Sequence, residues 1–421
     1  MFKIKKKYKK ELGNNLVLKS VSSIIDVERV AEFNFKIHKE EKIDSLVKEL
    51  LIKHPDVSPD NWYYVEDKQE KQIVSSLCLI KWNLLYDNIK LKSAEMGFVG
   101  TEEKYRKKGL FNILAETFSN TIKTENYDLS QIQGIPFFYK KYGYSYAIPL
   151  IRNICLKPDK ITDSPANNYK FIKAGLQDVP QLKNLYNTDN LFIKTARTER
   201  IWKYLLKSAL TTATAAETWL VLNKKKEITG YFRISNSTEW GNNLFVNEVS
   251  KLTGKQAINV LSKLKSLCLG YSKPYIRLDL PNTTELVKAA KNPGAVEKRE
   301  WAWQIKIVNI PMFLKKIRPV LNKRIAASRF KNTTKKIGIN LYKEQYEISF
   351  INGELKSIRN FISANTKLLD ISYEYAVQLL LGYRNIDELM NNTFDVTADK
   401  AIKSFLNTLF PKKESFLYGI Y

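Results

Sequence analysis

The sequence predicts an α+β protein of two or three domains, and three observations carry that prediction. At 421 residues the chain is long enough for more than one core, and 44% hydrophobic with 12% aromatic residues is the composition of a packed protein. Short apolar runs and amphipathic stretches follow one another in mixed order, as in sheets flanked by helices. The order of segments in the first part then returns in outline after residue 160.

Residues 16–22 read as a strand, and residues 27–39 as a helix whose Val30, Phe33 and Ile37 recur at helical spacing. A second helix, 43–53, stops at His54-Pro55, because a residue before proline is pushed out of the helical region. Apolar runs at 62–67 and 73–80 around a charged turn predict a hairpin. A third strand near 89–92 and a fourth at 96–101 follow, then a basic glycine turn, a helix to about Thr124, a strand and a short aromatic helix around Tyr139.

The outline returns as a strand at 169–173, a helix at 178–186 with Pro180 in its first turn, and a hairpin at 219–222 and 228–234. Lys251 to Ala257, with Gly254, open a helix where the first copy has its glycine turn. Residues 301–305 make a strand, and a helix over 310–321 is interrupted at Pro319. Strands at 338–342 and 346–350 lead to Asn352-Gly353, a tight hairpin signal. Helices at 374–381, 386–390 and 397–409 follow, which suits an α+β unit.

The turn Arg106-Lys107-Lys108-Gly109-Leu110-Phe111 feeds a helix, so unpaired N–H groups and the positive end of the helix dipole face outward. That arrangement cradles an anion. The turn has one glycine and no Gly-Lys-Ser/Thr ending, which argues against a nucleotide triphosphatase. Read with Val99-Gly100-Thr101 before it and Gly134-Ile135-Pro136-Phe137-Phe138-Tyr139 after it, the stretch resembles the coenzyme A site of the GNAT acyltransferases. Phe111 stands where most of that superfamily has Gly or Ala, and the multidomain Eis-like ("enhanced intracellular survival") branch also ends this motif Gly-Leu-hydrophobic.

The resemblance implies two tandem GNAT-like domains, mixed central sheets flanked by helices, over residues 1–157 and 158–300. A sterol-carrier-protein-like α+β domain is implied for 301–421. The second copy is expected to be degenerate, its cofactor turn decayed. The resemblance further implies an N-acetyltransferase in which acetyl-CoA and a primary amine meet in a ternary complex. The amine would belong to a small molecule such as an aminoglycoside or polyamine, or to a lysine side chain. Val99, Gly100 and Thr101 would pair with the pantetheine arm; Arg106, Lys107, Lys108, Gly109, Leu110 and Phe111 would take the pyrophosphate; Gly134 and Ile135 would line the thioester end. Tyr139 would protonate the departing thiolate, although by residue chemistry it also reads as one aromatic of a core cluster. For the proton acceptor the branch implies the α-carboxylate of Tyr421, whose surroundings Phe416 to Tyr421 are apolar and suited to burial. Glu95 is the alternative base, with a solvated strand-edge carboxylate as its plain reading. A hexamer is implied by the branch. A non-catalytic coenzyme A-binding or regulatory protein is the second functional reading.

The formal net charge of +26 draws anions in general, but the lysines are spread along the chain without a recognisable nucleic-acid module, so nucleic acid is not an expected partner. Cys78, Cys155 and Cys268 sit at unrelated spacings in apolar surroundings, and with His38 and His54 they build no common zinc site. No metal is expected, and both histidines read as surface or helix-end residues. No apolar run spans a bilayer, and the basic start lacks the apolar core of a secretory signal, which together predict a cytoplasmic protein without a membrane partner.

Overall fold

The computed structural model describes residues 7–163, 168–237 and 241–421. The first part holds β1 (Lys9–Gly13), β2 (Leu16–Ser20), α1 (Ile24–His38), α2 (Ile43–Lys53), β3 (Val57–Asp67), β4 (Gln72–Tyr86), β5 (Ile89–Thr101), α3 (Leu110–Thr124), β6 (Leu129–Ile132) and β7 (Ser145–Ile151). Ser23 starts α1 by accepting from the Asp26 amide, and Val27, Val30 and Ala31 bury one face of that helix. Helix α2 stops at His54, which is extended before Pro55.

Two local readings change. Residues 89–101 form one continuous strand, not two. Ser93, between the two expected strands, is buried and its hydroxyl donates to the Gln131 side-chain oxygen at 2.8 Å, so that hydroxyl is satisfied inside the sheet and the strand continues through it. Lys9–Gly13, part of the basic start, pairs with β2 as an edge strand, where exposed lysines are tolerated.

Further elements are β8 (Ile154–Leu156), β9 (Lys170–Lys173), α4 (Val179–Asn187), β10 (Ile193–Thr195), α5 (Glu199–Lys207), β11 (Glu217–Leu222), β12 (Ile228–Ser235), β13 (Leu244–Val249), α6 (Gly254–Gly270), β14 (Ile276–Leu278), α7 (Glu285–Lys291), β15 (Val296–Glu297) and β16 (Trp301–Ile307). The last stretch contains α8 (Ile310–Lys316), α9 (Arg318–Ala326), β17 (Lys335–Asn340), β18 (Gln345–Ile351), β19 (Glu354–Arg359), β20 (Lys367–Ile371), α10 (Tyr373–Leu380), α11 (Ile386–Asn392), β21 (Val396–Ala398) and α12 (Lys400–Leu409). Residues 397–398 therefore end a strand and do not begin a helix. Asn352 and Gly353, at φ 51° and 77°, make the tight turn between β18 and β19.

Three sheets result: β1-β2-β3-β4-β5-β6-β16-β7 with β10 added to β4, then β15-β8-β14-β13-β12-β11-β9, then β19-β18-β17-β20-β21. The first two share a plan. Each has one parallel pair of three residues, Ser93–Glu95 against Leu129–Gln131 in one and Leu244–Val246 against Ile276–Leu278 in the other, joined by a crossover helix.

They also exchange strands. β8 follows β7 directly but pairs with β14, while β16 runs between β6 and β7. The strand at 301–307 therefore lies in the first sheet and not with the C-terminal unit to which it was assigned. Burial explains the placement: Trp303, Ile305 and Ile307 are at most 1% exposed, and only an interior strand covers them so fully.

Candidate active site

The basic turn is built as its residues predict. Lys107 and Gly109 have φ of 63° and 77°, so the chain passes twice through the left-handed region before α3. A Cβ on Gly109 would meet nothing within 4 Å, so the dihedral and not crowding calls for glycine. Gly109 caps α3 without a side-chain hydrogen bond, and the first helical turn has no acidic residue. Its N–H groups are left open, with the dipole behind them. Arg106, Lys107 and Lys108 are exposed around them, and Leu110 is buried, so it can offer only its N–H. Tyr105 fixes the turn by donating to Asp67 at 2.7 Å.

Phe111 explains its own departure from the common motif. Its ring lies 5.2 Å from those of Phe138 and Tyr142 and 6.1 Å from Tyr139, so it ties the start of α3 to the aromatic turn Tyr139–Tyr142.

Beside the turn, two strands part. β5 and β6 pair over three residues ending at Glu95 and Gln131. Beyond that point β6 stays with β16, while β5 bulges at Phe98, where φ is 50° and the register to β4 shifts. Val99, Gly100 and Thr101 lie on this free length, whose edge toward β6 has no strand partner among the described residues. A Cβ on Gly100 would come within 2.8 Å of Ile37, so α1 also depends on this glycine.

Tyr139 borders the gap. It is buried, at 6% exposure, yet its hydroxyl has no hydrogen-bond partner among the described residues. Burial pushes its pKa up to about 12, so it stays protonated. Gly134 makes room for it, because a Cβ there would lie 2.2 Å from the Tyr139 ring, and Gln304 of β16 holds the Gly134 carbonyl at 2.7 Å. Gly134→Ala should displace the ring and cut turnover at least tenfold while acetyl-CoA affinity changes less. Steady-state kinetics with parallel calorimetry checks this, and unchanged turnover would dismiss the role of Gly134. Ile135 and Phe137 are 65% and 88% exposed at the same rim.

Glu95 is no solvated edge residue. It is 3% exposed, accepts from Trp82 at 2.7 Å and from the Tyr421 phenol at 2.8 Å, and burial lifts its pKa to about 7 against the pull of those two bonds. Tyr421 gets there because the closing segment is buried: Phe416, Leu417, Tyr418 and Ile420 are at most 3% exposed. The chain end and the middle of β5, far apart in sequence, thus meet at one carboxyl group.

The acetyltransferase (GNAT) domain model matches residues 31–147, a span that includes the basic turn, Glu95 and Tyr139. Residues 31–147 are a GNAT acyltransferase domain. Over nearly its whole length the chain shares a fold with three solved structures. A probable N-acyltransferase of unknown function from Enterococcus faecalis V583 is 14% identical, with 96% of this chain and 99% of that one covered and a TM-score of 0.75. A GCN5-related N-acetyltransferase from Anabaena variabilis is also 14% identical, covering 96% and 99% at TM-score 0.69. Eis1 from Mycobacterium abscessus is 12% identical, covering 96% and 100% at TM-score 0.64. Among curated proteins none matches.

Outside the GNAT domain, the second sheet's crossover helix contrasts with α3. Thr253 and Gln256 close the first turn of α6 in a capping box, so two of the N–H groups there, those of Thr253 and Gln256, are already used. Glu285 stands 3.8 Å from a Cβ placed on Gly254, a further obstacle to an anion. A separate cleft of about 1020 Å³, lined by Asp56, Asp60, Glu116 and Arg200 among others, touches none of the site residues named above. A cofactor strung along an open strand edge leaves no closed cavity, so volume does not locate it.

Both histidines lie at helix ends, one of their two expected readings, but neither is a fully exposed surface residue. His54 ends α2 but is buried: its Nδ1 accepts from the Asp56 amide, which leaves Nε2 to donate to the Ile420 carbonyl at 3.0 Å. Burial lowers its pKa to about 4. His38 ends α1 half-buried, edge-on to Phe98, with Nε2 buried and unpartnered among the described residues. No local sequence signal marks either contact, because each depends on a strand or tail remote in the chain. Among the described residues no group of three or more His, Cys, Asp or Glu is placed to hold a metal, and no helix is long and apolar enough to cross a membrane.

Proposed function

We propose that this chain transfers an acetyl group from acetyl-CoA to a primary amine, on a small molecule or a lysine side chain, by direct attack in a ternary complex. The observation that carries the reading is the uncapped start of α3 beside a strand pair that parts, with an unpartnered tyrosine hydroxyl at the edge of the gap. The N–H groups from Lys107 to Phe111, with Arg106 and the lysines, take the pyrophosphate. The free edge of Val99 to Thr101 pairs with the pantetheine arm, as an added strand would. Gly134 and Ile135 border the thioester, and Tyr139 donates its proton to the thiolate as the C–S bond breaks.

The amine must lose a proton as the amide forms. Glu95 and the Tyr421 carboxylate are the two acceptors proposed, and the phenol of Tyr421 on Glu95 supports a shared site. We read residues 158–300 as a second, degenerate copy of the domain, supported by its matching parallel strand pair and its closed helix start. The C-terminal remainder is read as sterol-carrier-protein-like.

Calorimetry with acetyl-CoA tests the cofactor site. Gly109→Asp sets a carboxylate in the cradle at a strained dihedral and should weaken binding at least 100-fold. Equal affinity in wild type and variant would sink the site. An acceptor screen over amines and lysine peptides, scored by free coenzyme A, then identifies the substrate class.

A further inference from the structure

We infer that the second sheet serves the transfer site as a clamp: Arg197, held by Glu248, positions the closing segment so that Tyr421 bonds Glu95. The inference rests on the proposal that Glu95 and Tyr421 form the proton-accepting site. Arg197 follows β10, and its side chain is fully buried. Both of its terminal nitrogens bond the Glu248 carboxylate of β13, each at 2.7 Å, and its guanidinium lies 4.8 Å from the rings of Tyr186 and Trp202. Glu248 also accepts from Tyr231 at 2.7 Å, with Arg233 at 3.6 Å.

Two guanidinium groups therefore share one buried carboxylate, and positive charge is left over. Part of that surplus meets the tail, because Arg197 also donates to the Gly419 carbonyl. The carbonyls on either side are held as well. Thr195 of β10 donates to Tyr418 at 2.8 Å, and His54, which caps α2, bonds Ile420 at 3.0 Å. Three successive carbonyls of a segment with no helix or strand of its own are thus fixed by three side chains. The following residue delivers its phenol to Glu95.

The location gives the clamp its meaning. β13 leaves β14 after Val246, so Glu248 occupies in the second sheet the place where, in the first, the strands part beside Glu95. The second gap holds an ion pair and the tail in place of a cofactor. β10 completes the link, since it pairs with β4 of the first sheet while carrying Thr195 against the tail. The other titratable groups against Glu95 are Cys78 on β4 and the Tyr421 phenol, both kept protonated by burial; Tyr204 adjoins the phenol. Glu95 therefore reads the position of the tail more than any neighbouring charge.

The test follows Glu95 without a substrate. Trp82 donates to Glu95, so the fluorescence difference between the full-length protein and its Trp82→Phe variant should titrate with a midpoint near 7. Thr195→Val removes one tail bond at constant volume, and Glu248→Gln weakens the clamp. Each should shift the midpoint by a unit or more, because the Tyr421 bond and the burial it completes both act on Glu95, and raise amide exchange over residues 416–421 at least tenfold, with acetyl-CoA affinity within twofold. A midpoint near 7 in Thr195→Val overturns the clamp, whether or not exchange rises, and this variant keeps the test valid should Glu248→Gln fail to fold. Failure of the underlying proposal looks different: Glu95→Gln would release coenzyme A at the wild-type rate in the presence of an amine acceptor from the screen, whatever the tail variants do.

Discussion

Replacing Tyr139 with phenylalanine should lower kcat by about 10²–10⁴-fold, the usual worth of a positioned general acid, while acetyl-CoA affinity should stay within about twofold. In barrier terms this is about 3–5 kcal/mol. The substitution removes one oxygen and leaves the ring against Phe111, Phe138 and Tyr144, so the aromatic cluster that ties α3 to this turn persists. Because the lost hydroxyl has no hydrogen-bond partner among the described residues, no buried group is orphaned by its removal. Stability should therefore hold, and the whole effect should fall on the chemical step. With its pKa near 12, Tyr139 remains protonated across the working range, so it adds no alkaline limb to the rate profile below about pH 10. Single-turnover kinetics beside calorimetry decides the matter. A variant with wild-type kcat would return Tyr139 to the role of a core aromatic.

Glu95→Gln should separate activity from stability. In the proposed reaction Glu95 takes the proton as an ionised carboxylate, so kcat/KM should rise with pH through about 7 and level off above it. In the glutamine variant that rise disappears and the plateau falls about 10²-fold or more. The fold responds in the opposite sense. The folded-state pKa of Glu95 lies above its ordinary value of 4.5, at about 7. Its contribution to stability is thus fully present below about pH 4 and is lost as pH rises through 7. By pH 8 the buried charge costs the fold about 3 kcal/mol, and an uncharged amide avoids that cost. Glutamine can still accept from Trp82, and its amide can donate to the Tyr421 oxygen. Denaturant unfolding at pH 5 and pH 8 should therefore show the variant gaining stability over wild type mainly at the higher pH. A variant less stable at pH 8 would contradict this account.

The parts of the site that could be read from the sequence are those whose chemistry is local. The turn from Arg106 to Phe111 depends on one glycine at positive φ and an uncapped helix start within a few residues, and the apolar close of the chain announces its burial by composition. Glu95 could be nominated but not weighed. Its environment is set by Trp82 across a strand and by Tyr421 from the end of the chain, and no pattern around residue 95 carries that information. The continuity of β5 through Ser93 was hidden for the same reason, since its partner Gln131 lies on another strand. Arg197 and Glu248 gave no signal at all: they are 51 residues apart, and their pairing serves a third segment. The destination of β16 was equally hidden, because strand character is local and strand partnership is not.

That destination bears on how the protein is made. The first sheet receives its penultimate strand from residues 301–307, and Gln304 on that strand secures Gly134 beneath the Tyr139 ring. At roughly 5–20 residues per second, a ribosome needs about 10–30 s to travel from β6 to β16. Through that interval β6 and β7 have an unfilled place between them and the aromatic turn lacks its support. With Tyr139 in its proposed role, the nascent chain should not turn over until β16 has emerged, and in that window the open edges of β6 and β7 are where a chaperone or a stray strand would attach.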